Sequence, residues 1–236
     1  MANDYFRFKQ FIIYQDKCSF KVGTDGVLLG ASAEILNAGR ILEIGTGTGL
    51  VAMMLAQRCN SEIIAIEPDV PSYQQAVSNV ASCRWGKRIK VINTSLQLYY
   101  PEELKFDLII TNPPYFSNSL KNPDLRRAGS RHNDTLTGTD LLEGVARLLS
   151  VDGILQIILP YPEGTVFIAQ AQEYGLYCNK NIKVRPLPTS DIKRLIMTFS
   201  RQKLHVKEKF LTIEKGQRHD FTDEYKNLTK DFYIKF

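Results

Sequence analysis

The nine residues from Ile41 to Gly49 constrain this chain more than any others. Ile41-Leu-Glu-Ile44 is an apolar strand, and Gly45-Thr-Gly47-Thr-Gly49 follows it without a spacer. Leu50 to Arg58 then shows helical periodicity. Strand, glycine-rich turn and helix in that order make the first half of a βαβ unit. Glycines let the backbone pass close to a ligand and adopt positive φ at little steric cost. The same turn alone also describes a tight corner with no ligand, so its surroundings decide its meaning.

Those surroundings repeat the alternation from about residue 20 to 200. Gly26 to Leu36 reads as a helix capped by Thr24 or Asp25. Apolar strands follow at Arg40–Ile44, Ile63–Ile66, Ile89–Ile92 and Phe106–Thr111, with helical periodicity over Leu50–Arg58 and Ser72–Ser82. Thr137 to Asp140 forms a capping-box pattern that opens a helix through Leu149. Asp152-Gly153 is expected to turn the chain into a fifth strand, Ile154–Leu159, and a helix is expected from Pro160 to about Glu173. Ile182–Arg185 and Leu195–Ser200 read as a final antiparallel pair. Such a series predicts an α/β fold with a mostly parallel sheet and helices on both faces. Residues 203–236 are polar and poor in core residues; a hairpin from Val206–Leu211 and a terminal aromatic strand, Asp231–Phe236, are expected there. No repeat or linker marks a second domain. The expectation is one domain over 1–236, with an N-terminal segment 1–36 flanking the ligand site, a core 37–202 and an extension 203–236.

No apolar stretch is long enough to span a bilayer, and Met1 to Lys9 has no signal-peptide core. Cys18, Cys59, Cys83 and Cys178 are scattered without CxxC spacing. They read as free thiols of a cytoplasmic protein, with neither a disulfide frame nor a metal site. The net charge of +5 is unevenly placed. Residues 180–218 carry eleven basic side chains against three acidic, and Lys121, Arg126, Arg127 and Arg131 face only Asp124 within 121–131. Clustered positive charge suits a polyanion such as RNA, and it also suits a merely solvated surface.

Three ligand classes compete for the glycine turn. A P-loop requires Gly-Lys-Ser/Thr, whereas this chain has Gly49-Leu50-Val51. A dinucleotide fingerprint requires GxGxxG, and position 50 is leucine. S-adenosylmethionine has no pyrophosphate to cradle, and its cationic sulfonium favours an acidic neighbourhood, which Glu43 supplies. Glu67 lies 22 residues after Gly45 at the end of the second strand, where a carboxylate can accept both ribose hydroxyls. It could equally serve only as an acid at a helix N-terminus. Ser95, after the third strand, is positioned for the adenine ring, although a serine in a turn needs no function.

The strand Phe106–Thr111 ends in Asn112-Pro113-Pro114-Tyr115. Two prolines stop the ladder abruptly and leave an amide and a phenol at the strand's C-terminal end, where open α/β sheets bind ligands. Methylating an exocyclic amine is hard because its lone pair is delocalised. The Asn112 side-chain oxygen and the Pro113 carbonyl could accept its two N–H bonds, localising the pair and stabilising the developing positive charge. Tyr115 offers a stacking face for an unpaired base.

With these motifs in one sheet, the chain resembles the class I S-adenosylmethionine-dependent methyltransferases that carry N-P-P-Y. More narrowly, it resembles the tRNA1(Val) (adenine-37-N6)-methyltransferase family through Phe20–Ala31, Ile41–Gly49, Phe106–Phe116 and the tail Phe221–Phe236. The resemblance implies a Rossmann-like sheet of seven strands with an antiparallel edge pair. It implies S-adenosyl-L-methionine held by Gly23, Thr24 and Asp25 at its methionine end, and by Glu43, Gly45, Gly47, Gly49, Glu67, Ser95 and Asn112. Ser95 departs from the acidic residue frequent there in relatives. Catalysis would rest on Asn112, Pro113 and Tyr115. The tRNA would be met by Lys21, Arg126, Arg127, Arg131 and His132, with Lys193, Arg194, Arg201 and Lys203 extending the track. No obligate protein partner is expected. N-P-P-Y also serves release-factor glutamine methyltransferases and rRNA guanine methyltransferases. A DNA adenine methyltransferase and a non-catalytic RNA-binding module are further readings. The short N-terminus and the basic segments favour adenine in tRNA.

Overall fold

The computed structural model describes residues 3–18, 20–35, 38–114 and 136–235. The described chain opens on a short antiparallel hairpin, β1 (Tyr5–Arg7) against β2 (Ile12–Tyr14). Three-residue strands are too short to show a period, so neither is signalled by the sequence. Helix α1 (Thr24–Ser32) follows. Its N-cap is Gly23, without a side-chain cap, rather than Thr24 or Asp25.

The alternating series then runs β3 (Arg40–Ile44), α2 (Leu50–Arg58), β4 (Glu62–Ile66), α3 (Val70–Ala81), β5 (Ile89–Ile92) and β6 (Phe106–Thr111). Asp69 starts α3, its carboxylate accepting from the Ser72 N–H at 3.0 Å. The expected capping box is present at α4 (Gly138–Leu148), where Thr137 and Asp140 bond reciprocally. After it come β7 (Leu149–Pro160), α5 (Tyr161–Glu173), β8 (Tyr177–Arg185), β9 (Arg194–Ser200), β10 (Lys207–Thr212) and α6 (Asp223–Thr229).

The main sheet has the order β10-β8-β9-β7-β6-β3-β4-β5. Every neighbouring pair is parallel except those of β9, which runs against both β7 and β8. The mostly parallel α/β fold is as expected, with eight strands instead of seven. The antiparallel pair β8–β9 is not at the edge, because β10 adds parallel to β8 and covers it. From 206 onward β10 is followed by a fold-back with a single antiparallel bridge, Glu214 to Phe221, in place of a hairpin of two full strands. Residues 231–235 are not a strand; Phe232 instead packs into the core behind α6. Asp152-Gly153 does not break the chain either. β7 runs through both residues but bulges there: a step of two residues in β6, Phe106 to Leu108, faces a step of five in β7, Leu149 to Ile154, where the regular ladder begins.

The strands are buried on both faces, as parallel sheets require. Ile41, Ile63, Leu108 and Ile110 pack with α1, α2 and the C-terminal Tyr225 and Phe232. Leu42, Ile44, Ile109, Leu155 and Ile157 pack with α4 and α5. Each fully buried side chain of this size contributes roughly 1.5–3 kcal/mol. The topology fixes where a ligand can sit. From β3 the chain proceeds outward through β4 and β5, then returns to place β6 on the other side of β3. The crevice at such a reversal lies beyond the C-terminal ends of β3 and β6, and those ends carry Gly45 and Asn112.

Candidate active site

The turn after β3 is built almost wholly from backbone. Gly45, Gly47 and Gly49 have φ of 70°, 55° and 84°, where any side chain would be strained. The Gly45 and Thr46 N–H groups donate to the Ile66 carbonyl at 2.9 and 3.1 Å, which lays the turn across the end of β4. A Cβ built at Gly45 or Gly47 meets nothing within 4 Å, so the outer side of the turn is open. One built at Gly49 meets Val80 and Ala76 of α3 at 3.5–3.7 Å, so this glycine faces protein.

Glu43 is turned into the loop–helix junction. Its Oε2 accepts from the Thr46 hydroxyl at 2.6 Å and from the Ala52 N–H at 2.9 Å. It is buried, and loss of hydration pushes its carboxyl up to about 8 despite those two bonds. Glu67 is also buried, against the turn itself. Its two oxygens accept from Gly47 N–H at 2.8 Å and Asp69 N–H at 3.1 Å. A carboxylate offers about four acceptor positions, so about two are left. Burial raises this carboxyl as well, and donors brought by a ligand would relieve that cost. Asn93, beyond β5, fixes this strand end by donating to the Glu67 and Pro68 carbonyls at 2.8 and 3.2 Å.

On the other side of β3, Thr111 is fully buried, and its hydroxyl donates to the Ile44 carbonyl at 2.9 Å. The next residue, Asn112, is exposed and Pro113 is buried. The glycine turn and the Asn112 segment are therefore fastened to one another at their roots. Ser95 is half-buried and begins the short 3₁₀ turn Leu96–Leu98 after β5, on the same rim of the sheet.

The N-terminal segment is strapped over this rim by buried amides. Asn79 of α3 donates to the Tyr14 carbonyl at 2.8 Å and the Thr48 carbonyl at 2.9 Å, and accepts from Tyr14 N–H at 3.0 Å. Gln75, one turn earlier, accepts from Lys17 N–H at 3.1 Å, and Gln15 accepts from Val22 N–H at 2.8 Å. These amides were not among the expected site residues. Their available signal was polar residues four apart on the face of α3 that also carries Ser72 and Ala76. The strap leads Lys21, Gly23 and Thr24, all exposed, to the start of α1. Asp25 follows and accepts from Arg194 Nε of β9 at 2.7 Å, so its carboxylate ties α1 to the sheet.

The basic residues separate along β9. Lys193 and Arg194 lie at the rim with Asn112, whereas Arg201 and Lys203 lie at the opposite end. There Arg201 donates to the Ala146 carbonyl at 2.7 Å and Lys203 stands over the Tyr177 ring. Tyr115, Arg126, Arg127, Arg131 and His132 lie outside the described residues. A cleft of about 900 Å³ opens between Arg58 and Ile154 at the far ends of the strands, away from every residue of this rim. Among the described residues no group of three or more His, Cys, Asp or Glu could hold a metal, and no helix is long and apolar enough to cross a membrane.

Comparison with known proteins adds a family to this geometry. The methyltransferase small domain family model matches residues 22–164, a span that holds the glycine turn, Glu67 and Asn112. The chain belongs to this family. Proteins named tRNA1(Val) (adenine(37)-N6)-methyltransferase match it end to end. The protein from Bacteroides fragilis is 45% identical over 237 residues, covering 100% of both chains. That from Bacteroides thetaiotaomicron is 46% identical over 99% of each, and that from Trichodesmium erythraeum 44% over 100% of each. The narrow resemblance seen in the motifs thus extends over the whole length. Solved methyltransferases share the fold. A predicted O-methyltransferase from Agrobacterium tumefaciens aligns with a TM-score of 0.62 at 20% identity, over 88% of this chain and 96% of its own. A glycopeptide N-methyltransferase complexed with S-adenosylmethionine aligns at 0.54 and 12% identity, over 78% and 96%.

Proposed function

We propose that this member of the methyltransferase small domain family transfers a methyl group from S-adenosyl-L-methionine to the exocyclic N6 of an adenine in tRNA, adenosine 37 of tRNA1(Val). The observation that carries the reading is the fastening of Thr111 to Ile44, which keeps the Asn112 segment beside the open glycine turn. The names of the full-length relatives narrow the acceptor to adenine in tRNA. An enzyme with this substrate works in the cytoplasm.

The site fits the methyl donor on two counts: open space above Gly45 and Gly47, and unused acceptor positions on Glu67. Glu67 would accept the ribose hydroxyls, Ser95 would border the adenine, and Gly23 to Asp25 would border the methionine end. When bound, S-adenosylmethionine supplies an electrophilic methyl group on a positively charged sulfur. Glu43, which burial keeps largely protonated, would act by holding the shape of the turn through Thr46 and Ala52.

Asn112 Oδ1 and the Pro113 carbonyl would accept the two N–H bonds of the target amine. That draws the nitrogen lone pair out of conjugation and aims it along the line of transfer. As the new N–C bond forms, the methyl–sulfur bond would break with its electron pair returning to sulfur as a neutral thioether, and both acceptors would tighten on the nitrogen as it gains positive charge. The surplus proton then leaves to water, so no strong base is required. Pro113 and Pro114 restrict the backbone, so the acceptors are set before substrate arrives. Tyr115 would stack on the base, and Lys21, Arg126, Arg127, Arg131 and His132 would contact the RNA around it.

Incubating the protein with methyl-labelled S-adenosylmethionine and total RNA, DNA and protein, followed by nucleoside analysis, tests this reading. Label in N6-methyladenosine of tRNA is expected. Label in protein glutamine, in guanine or in DNA would overturn it.

A further inference from the structure

A second cleft, about 650 Å³, opens on the rim that carries Asn112, between the start of α5 and the segment that leads into β9. Tyr161 forms one wall and is 42% exposed, a large aromatic left facing solvent. The ring is held on a rigid base. Pro160 precedes it and Pro162 follows it, and the Tyr161 N–H donates to the Lys193 carbonyl on the opposite wall at 3.1 Å. The polar lining carries both signs. Glu163 is half-buried, and Lys193 and Asp191 form a loose pair 4.0 Å apart with both side chains largely in solvent. Arg194, also on the wall, is engaged by Asp25.

The distance to the reacting end follows from register. Thr111 pairs with Ile157, so Asn112 stands level with Ile158. Tyr161 lies three residues further and one strand across, about 10 Å along and about 5 Å sideways. That is too far to touch a base whose amine sits on Asn112, and close enough for the adjoining nucleotide of the same strand.

Resting on the tRNA reading above, we propose that this cleft receives a nucleotide flanking the target adenine. Its base stacks on Tyr161, its phosphate is met by Lys193, and the Glu163 carboxylate accepts from an N–H on the base edge. A stacking face is indifferent to sequence, whereas a carboxylate accepts only from bases that present a donor. The cleft therefore contributes to the choice of RNA site as well as to affinity.

The test uses the full-length protein and tRNA carrying the fluorescent base 2-aminopurine immediately 5′ or 3′ of the target adenine. Binding is expected to quench fluorescence at one of the two positions with wild type and with Tyr161→Phe, and to leave it unquenched with Tyr161→Ala. The same Ala variant should raise KM for unlabelled tRNA roughly tenfold, in keeping with the loss of one base stack. Its kcat and its affinity for S-adenosylmethionine should stay within twofold, which shows that the fold and the donor site are intact. Equal quenching in wild type and Tyr161→Ala, or an unchanged KM, would overturn the subsite while leaving adenine methylation standing. Absence of any methyl transfer into tRNA by the wild-type protein would overturn both.

Discussion

The Thr111 hydroxyl donates to the Ile44 carbonyl at 2.9 Å, joining the last residue of β6 to the last residue of β3. Both residues are buried, and each is followed by a segment assigned to one of the two reacting partners. Thr111→Val removes the hydroxyl and leaves the side-chain volume nearly unchanged. Stability should fall by about 1 kcal/mol, the usual worth of one such bond. Turnover should fall further than donor affinity does, because the two segments lose their common root. Denaturant melts and calorimetric titration with S-adenosylmethionine, beside a methylation assay, measure the three quantities.

Asn112 is exposed at the end of a strand paired on both sides over Leu108–Thr111, so truncating it costs the fold little. Asn112→Ala should lower kcat by roughly 100- to 1000-fold, the range seen when one preorganised polar group is removed from a reacting centre. Donor affinity should persist. Calorimetry showing lost affinity, with normal turnover at saturation, would assign Asn112 to donor binding instead.

Glu67→Gln keeps one carbonyl oxygen for Gly47 or Asp69 and replaces the other acceptor with a donor. Affinity for S-adenosylmethionine should weaken about tenfold or more, because an unpaired polar contact to a ribose hydroxyl costs about 1–3 kcal/mol. Binding of tRNA, followed by fluorescence anisotropy, should be unaffected. A matched loss of both affinities would point to collapse of the turn.

Glu43 sets a pH dependence of stability. Its carboxyl is pushed up to about 8 in the folded protein, against 4.5 for an unperturbed group. Between those values the folded state holds a proton that the unfolded chain has released. The contribution is therefore complete below 4.5 and is lost as pH rises through 8. Urea midpoints of the ligand-free protein should fall from pH 5 to pH 8. Glu43→Gln, which cannot titrate, should flatten that slope. Equal slopes for the two proteins would remove Glu43 as its source.

The parts legible in the sequence are those in which neighbours along the chain determine structure. The glycine turn, the capping box at Thr137 and Asp140, and helix α5 beginning after Pro160 each depend on residues within a few positions of one another. The misread parts depend on distant partners. β10 is parallel to β8, and no local pattern reveals which edge a strand will join. Asp152 and Gly153 have turn chemistry and pair with neither β6 nor β9, yet they lie within β7, whose paired ladder with β9 starts at Ile154. Helix α6 has seven residues, of which only Tyr225 and Thr229 are buried, so its period is faint. Within the site, Glu43 and Glu67 are alike on paper. Both are buried, and they differ in partners: Glu43 is taken by Thr46 and Ala52 at the loop–helix junction, Glu67 by the Gly47 and Asp69 N–H groups.

The aromatic contacts of the N-terminal strap bear on how the molecule is made. Phe6 and Phe8 pack on Tyr233 with ring centroids 6.1 and 5.9 Å apart, and the Lys9 N–H donates to the Phe232 carbonyl at 2.8 Å. During synthesis the segment that carries Lys21, Gly23 and Thr24 leaves the ribosome some 200 residues ahead of the partners that hold its base. A growing chain can complete the β3–β6 sheet and its glycine turn while this strap, pinned by Asn79 and Gln75 of α3, still lacks its aromatic footing. The aromatic footing on Tyr233 is therefore the last contact of the strap to become available.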